Sequence, residues 1–267
     1  MVKYLTKTSI AAGCDFCSQM SQYATLKVLA KEKNFEVVFR EGDLHRGYGY
    51  HLDKCFTHIP AITNAPIEFK TISGSHWGKF PADYLGQDNY DFALDISCYK
   101  SFHHEYDYIR ELYTFKPEIV SIGNEYLNSI KQDDEVLVAV HFRRGDYLVY
   151  SSLKLSLDYY NTAVSLMQEK LAGKKIKFLV FSNGMDWVKE NFKPDNVVYC
   201  DLNDRFVELY LQTVCNHCII ANSSYSFWGA YLNNTPNKIV ICPIKYSGNP
   251  EIDGNYYPSD WLAIDKV

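Results

Sequence analysis

Residues 136–140 read Val-Leu-Val-Ala-Val, a continuous β-prone apolar run. A half-exposed strand would alternate apolar and polar positions, so an unbroken run marks a strand buried on both faces of a parallel sheet. The same texture recurs at 176–181, 218–221 and 239–242, with a shorter version at 196–199. Helical spacing fills the gaps between them. Residues 157–171 follow Ser156, a good N-cap, and 185–191, 205–215 and 224–232 continue the series. Strands alternating with helices at this spacing predict a doubly wound α/β domain.

The first half is less regular. Residues 19–31 place Met20, Tyr23, Ala24, Leu26, Val28 and Leu29 mostly on one side of a helix, and 35–39 read as a short buried strand. A further strand near the start would complete a βαβ unit. Residues 41–95 are rich in Gly, Pro and His without a clear period. They predict loops and short elements, either shaping a cleft or merely covering the surface. Helices are expected at 101–113 and 119–131, with Pro117 near the start of the second. Asp133, Asp134 and Glu135 then form an acidic turn. The expected division is an N-terminal domain, 1–132, a C-terminal Rossmann-like domain, 133–250, and a tail, 251–267. Tyr256-Tyr-Pro258 and Trp261 should pack that tail back on the body.

Composition narrows the function classes. A chain of 267 residues with 47% hydrophobic and 22% charged residues is an ordinary folded composition. Its net charge of -5 argues against general nucleic-acid binding, which needs a basic face. No run approaches the roughly 18 apolar residues that span a bilayer, and residues 1–10 lack a signal-peptide pattern. The expected location is cytoplasmic, with peripheral association at the inner face of the membrane left open. The 22 Tyr and 15 Phe suit either sugar-stacking platforms or a Tyr-rich core. Cys14 with Cys17, and Cys215 with Cys218, have ligand-like spacing. They read more plainly as buried reduced thiols, and no metal is expected.

Three segments follow predicted strands, where open α/β sheets bind ligands. The first is His141-Phe-Arg-Arg-Gly-Asp-Tyr147. Two adjacent arginines, Arg143 and Arg144, need a carboxylate or phosphate partner. Asp146 could hold one guanidinium while the other meets a ligand, or the group could be a structural Arg–Asp pair. The second runs from Ile219 through Asn222, Ser223, Ser224, Tyr225 and Ser226 to Gly229. Hydroxyls and backbone N–H groups at a helix start form an anion site, unless the serines merely cap the helix. The third, Phe181-Ser182-Asn-Gly184, is a strand-to-turn step and weak alone. The chain has neither a Walker-type loop nor a Gly-x-Gly-x-x-Gly after a strand. A nucleotide diphosphate held by arginine and hydroxyls fits this set.

His-x-Arg-Arg-Gly-Asp-Tyr resembles the signature of α-1,2-fucosyltransferases of glycosyltransferase family 11, shared more loosely with α-1,6- and protein O-fucosyltransferases. The run from Cys215 to Tyr231 is similar to the family's second signature, and Gln19-Met-Ser-Gln-Tyr-Ala24 resembles its N-terminal helix motif. Tyr257-Pro258 and Trp261 also fit, so the resemblance spans the chain. It implies a GT-B-type α/β fold of two Rossmann-like halves with mostly parallel sheets. The N-terminal half would bind acceptor and the C-terminal half GDP-fucose. It implies an inverting galactoside α-1,2-fucosyltransferase without cofactor or metal, acting on an oligosaccharide or glycolipid acceptor, for example in bacterial surface polysaccharide synthesis. By carry-over, Arg143 would stabilise the leaving GDP, His141 and Glu208 would contact guanine, and Ser223, Ser224 and Tyr225 would line the phosphate site with Ser226 nearby. Ser182 and Asn222 complete the candidate set, and Asp15 and Asp146 are the carboxylates weighed as general base. In this chain Cys14-Asp-Phe-Cys-Ser18 replaces a family glycine-rich loop, Ser182-Asn-Gly184 stands where Ser-Asp-Asp is common, and Glu208 replaces an Asp. Two other readings remain: a related transferase with another donor or linkage, and an inactive nucleotide- or glycan-binding relative.

Overall fold

In the computed structural model the apolar runs become two parallel sheets, one in each of two units, Met1–Lys116 and Pro117–Val267. The structure describes residues 2–13, 15–58, 61–74, 78–148 and 154–265, with the side chains of Asp146 and Leu148 outside that description. Among the described residues every pairing between strands is parallel.

The first unit holds β1 (Tyr4–Thr6), α1 (Phe16–Lys33), β2 (Glu36–Arg40), the short helices α2 (Glu41–Leu44) and α3 (Leu52–Cys55), β3 (Ala61–Thr63), β4 (Lys70–Ile72), β5 (Tyr90–Phe92) and α4 (Tyr106–Leu112). The sheet order is β3-β2-β1-β5-β4. Residues 41–95, expected as loops and short elements, therefore supply three of its five strands. The helix expected at 101–113 is shorter, because 3₁₀ turns occupy Tyr99–Ser101 and His103–Glu105 ahead of α4.

α1 buries more than the single apolar face its spacing suggests, since Gln19, Gln22 and Thr25 are also buried. Buried amides need partners. Gln19 donates to the Gly49 carbonyl at 2.7 Å and accepts from the His51 N–H at 3.0 Å. Gln22 donates to Ser97 Oγ at 2.8 Å and accepts from the Ile96 N–H at 3.0 Å. The polar residues of the Gln-Met-Ser-Gln motif thus clamp two loops onto the helix.

The second unit holds α5 (Pro117–Ile130), β6 (Glu135–Phe142), α6 (Leu157–Lys170), β7 (Lys175–Ser182), α7 (Met185–Asn191), β8 (Val197–Tyr199), α8 (Arg205–Val214), β9 (His217–Ile219), α9 (Ser224–Leu232), β10 (Val240–Pro243), α10 (Pro250–Asp253) and β11 (Leu262–Ile264). Ser156 caps α6 as its sequence predicts, its hydroxyl accepting from the Tyr159 N–H. The sheet order is β11-β10-β9-β6-β7-β8. The chain starts in the middle at β6, builds outward through β7 and β8, then returns to the other side of β6 with β9. In parallel sheets the crevice beyond the carboxyl ends at such a reversal is the usual ligand site.

Two expected boundaries move. The division falls after Lys116 rather than at 132, because α5 packs on α8. A Cβ on Gly123 would lie 2.4 Å from Tyr210 Cδ1, and Tyr210 donates to Asn124 Oδ1 at 2.8 Å. The tail does more than pack back, since β11 pairs with β10 as a sixth strand. Val138, Val140, Phe142, Tyr159, Tyr160, Phe178, Val180 and Phe192 form the core of this unit. Tyr160 stacks on Phe142 with ring centres 3.6 Å apart. Among the described residues no helix is long and apolar enough to cross a membrane.

Candidate functional site

The reversal in strand order sets β6 beside β9, with Val140 paired to Ile219. The His-Phe-Arg-Arg and Asn-Ser-Ser segments therefore leave neighbouring strands at the same end. Two tyrosines of α6 fix those ends from below. Tyr159 donates to the Ile220 carbonyl at 2.6 Å and Tyr160 to the His141 carbonyl at 3.3 Å.

His141 is buried and lies 5.3 Å from the Tyr225 ring, centre to centre. Burial, with help from the Arg143 charge, brings its pKa down to about 3, so the imidazole is neutral. Its Nδ1 is buried with no hydrogen-bond partner among the described residues. Arg143 is half-buried, its guanidinium carbon 5.4 Å from the centre of the Tyr147 ring. Tyr147 in turn donates to the Asn222 carbonyl at 3.0 Å, a bond that bridges the β6 and β9 loops. Arg144 goes to the β7 side instead. Its guanidinium carbon lies 3.3 Å from the centre of the Trp187 ring, and burial lowers its pKa. The Arg144 N–H donates to Asn183 Oδ1 at 2.8 Å. The Asp146 side chain, expected to pair with an arginine, lies outside the described residues.

Across the crevice, Ser223 is the N-cap of α9, its hydroxyl accepting from the Tyr225 N–H at 3.3 Å. Asn222 is buried and donates to the Tyr246 carbonyl at 2.9 Å, anchoring the loop. Tyr246 is itself stacked on Tyr256 of the tail, centres 3.4 Å apart. Ser224 and Tyr225 are half-buried in the first turn, and the Tyr225 hydroxyl donates to the Arg205 carbonyl at 2.7 Å. Ser226 differs from its neighbours. Fully buried, it donates to the carbonyls of Ala221 and Ser223 at 3.2 and 3.3 Å, so its hydroxyl braces the turn.

Glu208 lies in the first turn of α8, which Asp204 caps through the N–H groups of Phe206 and Val207. Burial, aided by the Asp204 charge, raises its pKa to about 7 against an opposing bond from the Asn203 backbone. Ser182 accepts from the Gly184 N–H at 3.0 Å, which closes the turn after β7. Asp15 lies in the first unit at the N-cap position of α1. Cys215 and Cys218 are buried free thiols, Cys17 is buried in the first turn of α1, and Cys14 is outside the described residues. Among the described residues no group of three or more His, Cys, Asp or Glu is placed to hold a metal.

Sequence reasoning singled out the arginines and serines but missed what holds them: Tyr147, Asn183, Trp187 and Tyr246. Two carried a signal: Tyr147 stands inside the first motif and Asn183 inside the weaker third segment. The assembly offers two guanidinium groups on aromatic faces, a helix start with donors not bonded within the helix, a neutral imidazole and a carboxyl that titrates near neutrality. Such groups are chemically suited to a dianion attached to a group bearing N–H donors.

Residues 61–265 match the model of glycosyl transferase family 11. The O-antigen biosynthesis glycosyltransferase WbnK of Escherichia coli is 30% identical over 156 residues, covering 54% of this chain and 51% of that protein. The alpha-1,2-colitosyltransferase of Escherichia coli is 33% identical over 140 residues, 48% of each. The chain thus spans about half the length of these two relatives. Galactoside alpha-(1,2)-fucosyltransferase 2 of Gorilla gorilla gorilla is 24% identical over 232 residues, 80% of this chain and 66% of that protein. Among solved structures, NodZ alpha-1,6-fucosyltransferase soaked with GDP-fucose has a TM-score of 0.57 at 12% identity, covering 90% of this chain and 95% of its own. POFUT1 in complex with GDP-fucose has a TM-score of 0.58 at 12% identity, covering 89% and 97%. The shared fold is of the GT-B type, two Rossmann-like α/β units.

Proposed function

The chain belongs to glycosyl transferase family 11, and on that premise we propose that it is an inverting transferase moving L-fucose from GDP-fucose to a galactose-terminated glycan in α-1,2 linkage, in surface polysaccharide synthesis. The observation that supports this most is the tie between the two motifs at the β6–β9 reversal: Arg143 over Tyr147, and Tyr147 bonded to Asn222. As the bond from fucose to phosphate breaks, positive charge grows on the sugar ring and negative charge on the departing diphosphate. In this reading Arg143 and the first turn of α9 are aimed at that growing charge, where fixed donors act most strongly. Arg144 adds a second cation. Glu208, ionised, accepts from the N–H donors of guanine, and the neutral His141 backs the same end of the site beside the Tyr225 ring. The guanidinium groups do the work of charge neutralisation, and no cofactor is required.

A second donor is favoured by one comparison: the colitosyltransferase relative is 33% identical. The same site would then take another GDP-linked deoxysugar. The test is a GDP-release assay with wild type and Arg143→Ala, offering GDP-fucose, GDP-mannose and UDP-galactose in turn with lactose or N-acetyllactosamine. Release from GDP-fucose alone, reduced about a hundredfold or more in Arg143→Ala, is the expected outcome. Release from another donor sinks the fucose reading. GDP binding in calorimetry without turnover of any donor favours an inactive relative.

A further inference from the structure

Arg144 meets an aromatic ring where a cation at a strand end would ordinarily meet a carboxylate. Its guanidinium carbon is 3.3 Å from the centre of the Trp187 indole, well inside cation–π range, and among the described residues it forms no ion pair. Stacking covers one face of the guanidinium and leaves its coplanar N–H groups available along the edge. The platform is fixed: Trp187 packs against the core of the second unit, next to the fully buried Val188. The base of the arginine is fixed as well. Asn183 accepts the Arg144 N–H at 2.8 Å, and Gly184 comes so close that a Cβ there would lie 3.0 Å from Arg144 Cβ. Neither Asn183 nor Gly184 carries a carboxylate that would compete for the arginine.

We propose that Trp187 is a positioning residue of the donor site, holding the Arg144 guanidinium flat so that its N–H edge is presented to the diphosphate at the carboxyl end of β6. This rests on the reading of the site as a GDP-sugar site. An unstacked arginine carries about 2 kcal/mol of rotamer entropy into binding. An arginine already laid on a ring has lost much of it before the ligand arrives. Trp187 touches no substrate in this role and acts through Arg144.

The experiment is calorimetry of wild type, Trp187→Leu, Trp187→Phe and Arg144→Lys with two probes, GDP and guanosine, the second by competition. Trp187→Leu should weaken GDP about five- to thirtyfold, the range set by a partly desolvated cation–π contact, and leave guanosine unchanged. Trp187→Phe should recover most of the loss. Arg144→Lys leaves the indole and the core around it in place, and it should show the same selective loss, because an ammonium cannot stack and donate along an edge. Trp187→Leu binding GDP like wild type overturns the proposal. So does an equal loss of GDP and guanosine in Arg144→Lys, the mark of a purely structural role. Wild type failing to bind GDP at all instead overturns the underlying donor-site reading, which separates the two failures.

Discussion

Gly145 stands where the β6 and β7 loops touch, and the effect of adding one methyl group there can be worked out in advance. Its φ is +20°, and a Cβ would lie 2.4 Å from Asn183 Nδ2 and 3.2 Å from its Cγ. Asn183 cannot yield without a loss, because it accepts the Arg144 N–H at 2.8 Å. Gly145→Ala should therefore forfeit that hydrogen bond, about 1 kcal/mol, and hold an alanine at an unfavourable φ for about 1 kcal/mol more. The sum is about 2 kcal/mol. Asn183→Ala loses the bond alone, about 1 kcal/mol, and also removes the obstacle. The double variant loses the bond only once, so it should cost about 2 kcal/mol instead of the additive 3, a coupling of about 1 kcal/mol. Urea unfolding of wild type, both single variants and the double variant measures this directly, and GDP release should fall in all three because Arg144 loses its backbone anchor. Additive losses, or a Gly145→Ala variant within about 0.5 kcal/mol of wild type, would refute the reasoning.

Glu208 is held near pH 7 by burial, and in the proposed role only its ionised form accepts from guanine. Affinity for guanosine, a probe with no phosphate to titrate, should rise as pH goes from 6 to 8 and level off above, by at most about tenfold per pH unit below the pKa; Glu208→Gln should flatten the profile, and a flat wild-type profile would argue against the role. Ser223→Ala should cost about 1 kcal/mol of stability through the lost cap. Ser226→Ala should destabilise by a similar amount yet leave GDP affinity within about twofold, because its hydroxyl is directed at two backbone carbonyls; a larger affinity loss would return Ser226 to the ligand side.

The second unit was largely legible because its strands are long or unbroken apolar runs. β6 and β7 are eight residues each, and their buried stretches are rich in Val, Ile and Phe, which favour strand over helix. In the first unit β3 and β4 are three residues each and mostly exposed, so neither alternation nor an apolar run marks them. They are strands because β2 and β5 supply hydrogen-bond partners, a tertiary fact without a local signature. The site divides in the same way. Arginine and serine clusters directly after apolar strands declare themselves, since polar groups at a sheet's carboxyl end call for a ligand. Their supports do not. Tyr147 reaches Asn222 across 75 positions and Asn183 reaches Arg144 across 39, and an asparagine or tryptophan in a turn or short helix has many ordinary explanations. β11 was hidden for a related reason: its three residues are only partly buried and gain meaning from pairing with β10.

The position of α5 has a consequence for the order in which the molecule can be built. The first unit ends at Lys116, with the Phe56–Phe115 bridge already inside it. A chain made from its amino end can therefore close that unit while the remainder is still being synthesised. α5 is complete next, but α8, the helix it packs on through Gly123, begins only at Arg205. Throughout the making of β6, α6, β7, α7 and β8 the Gly123 face of α5 still waits for α8, and the second sheet lacks β9, β10 and β11. The half that carries the His-Phe-Arg-Arg and Asn-Ser-Ser segments is thus finished late and nearly all at once, when the returning strands arrive on the far side of β6.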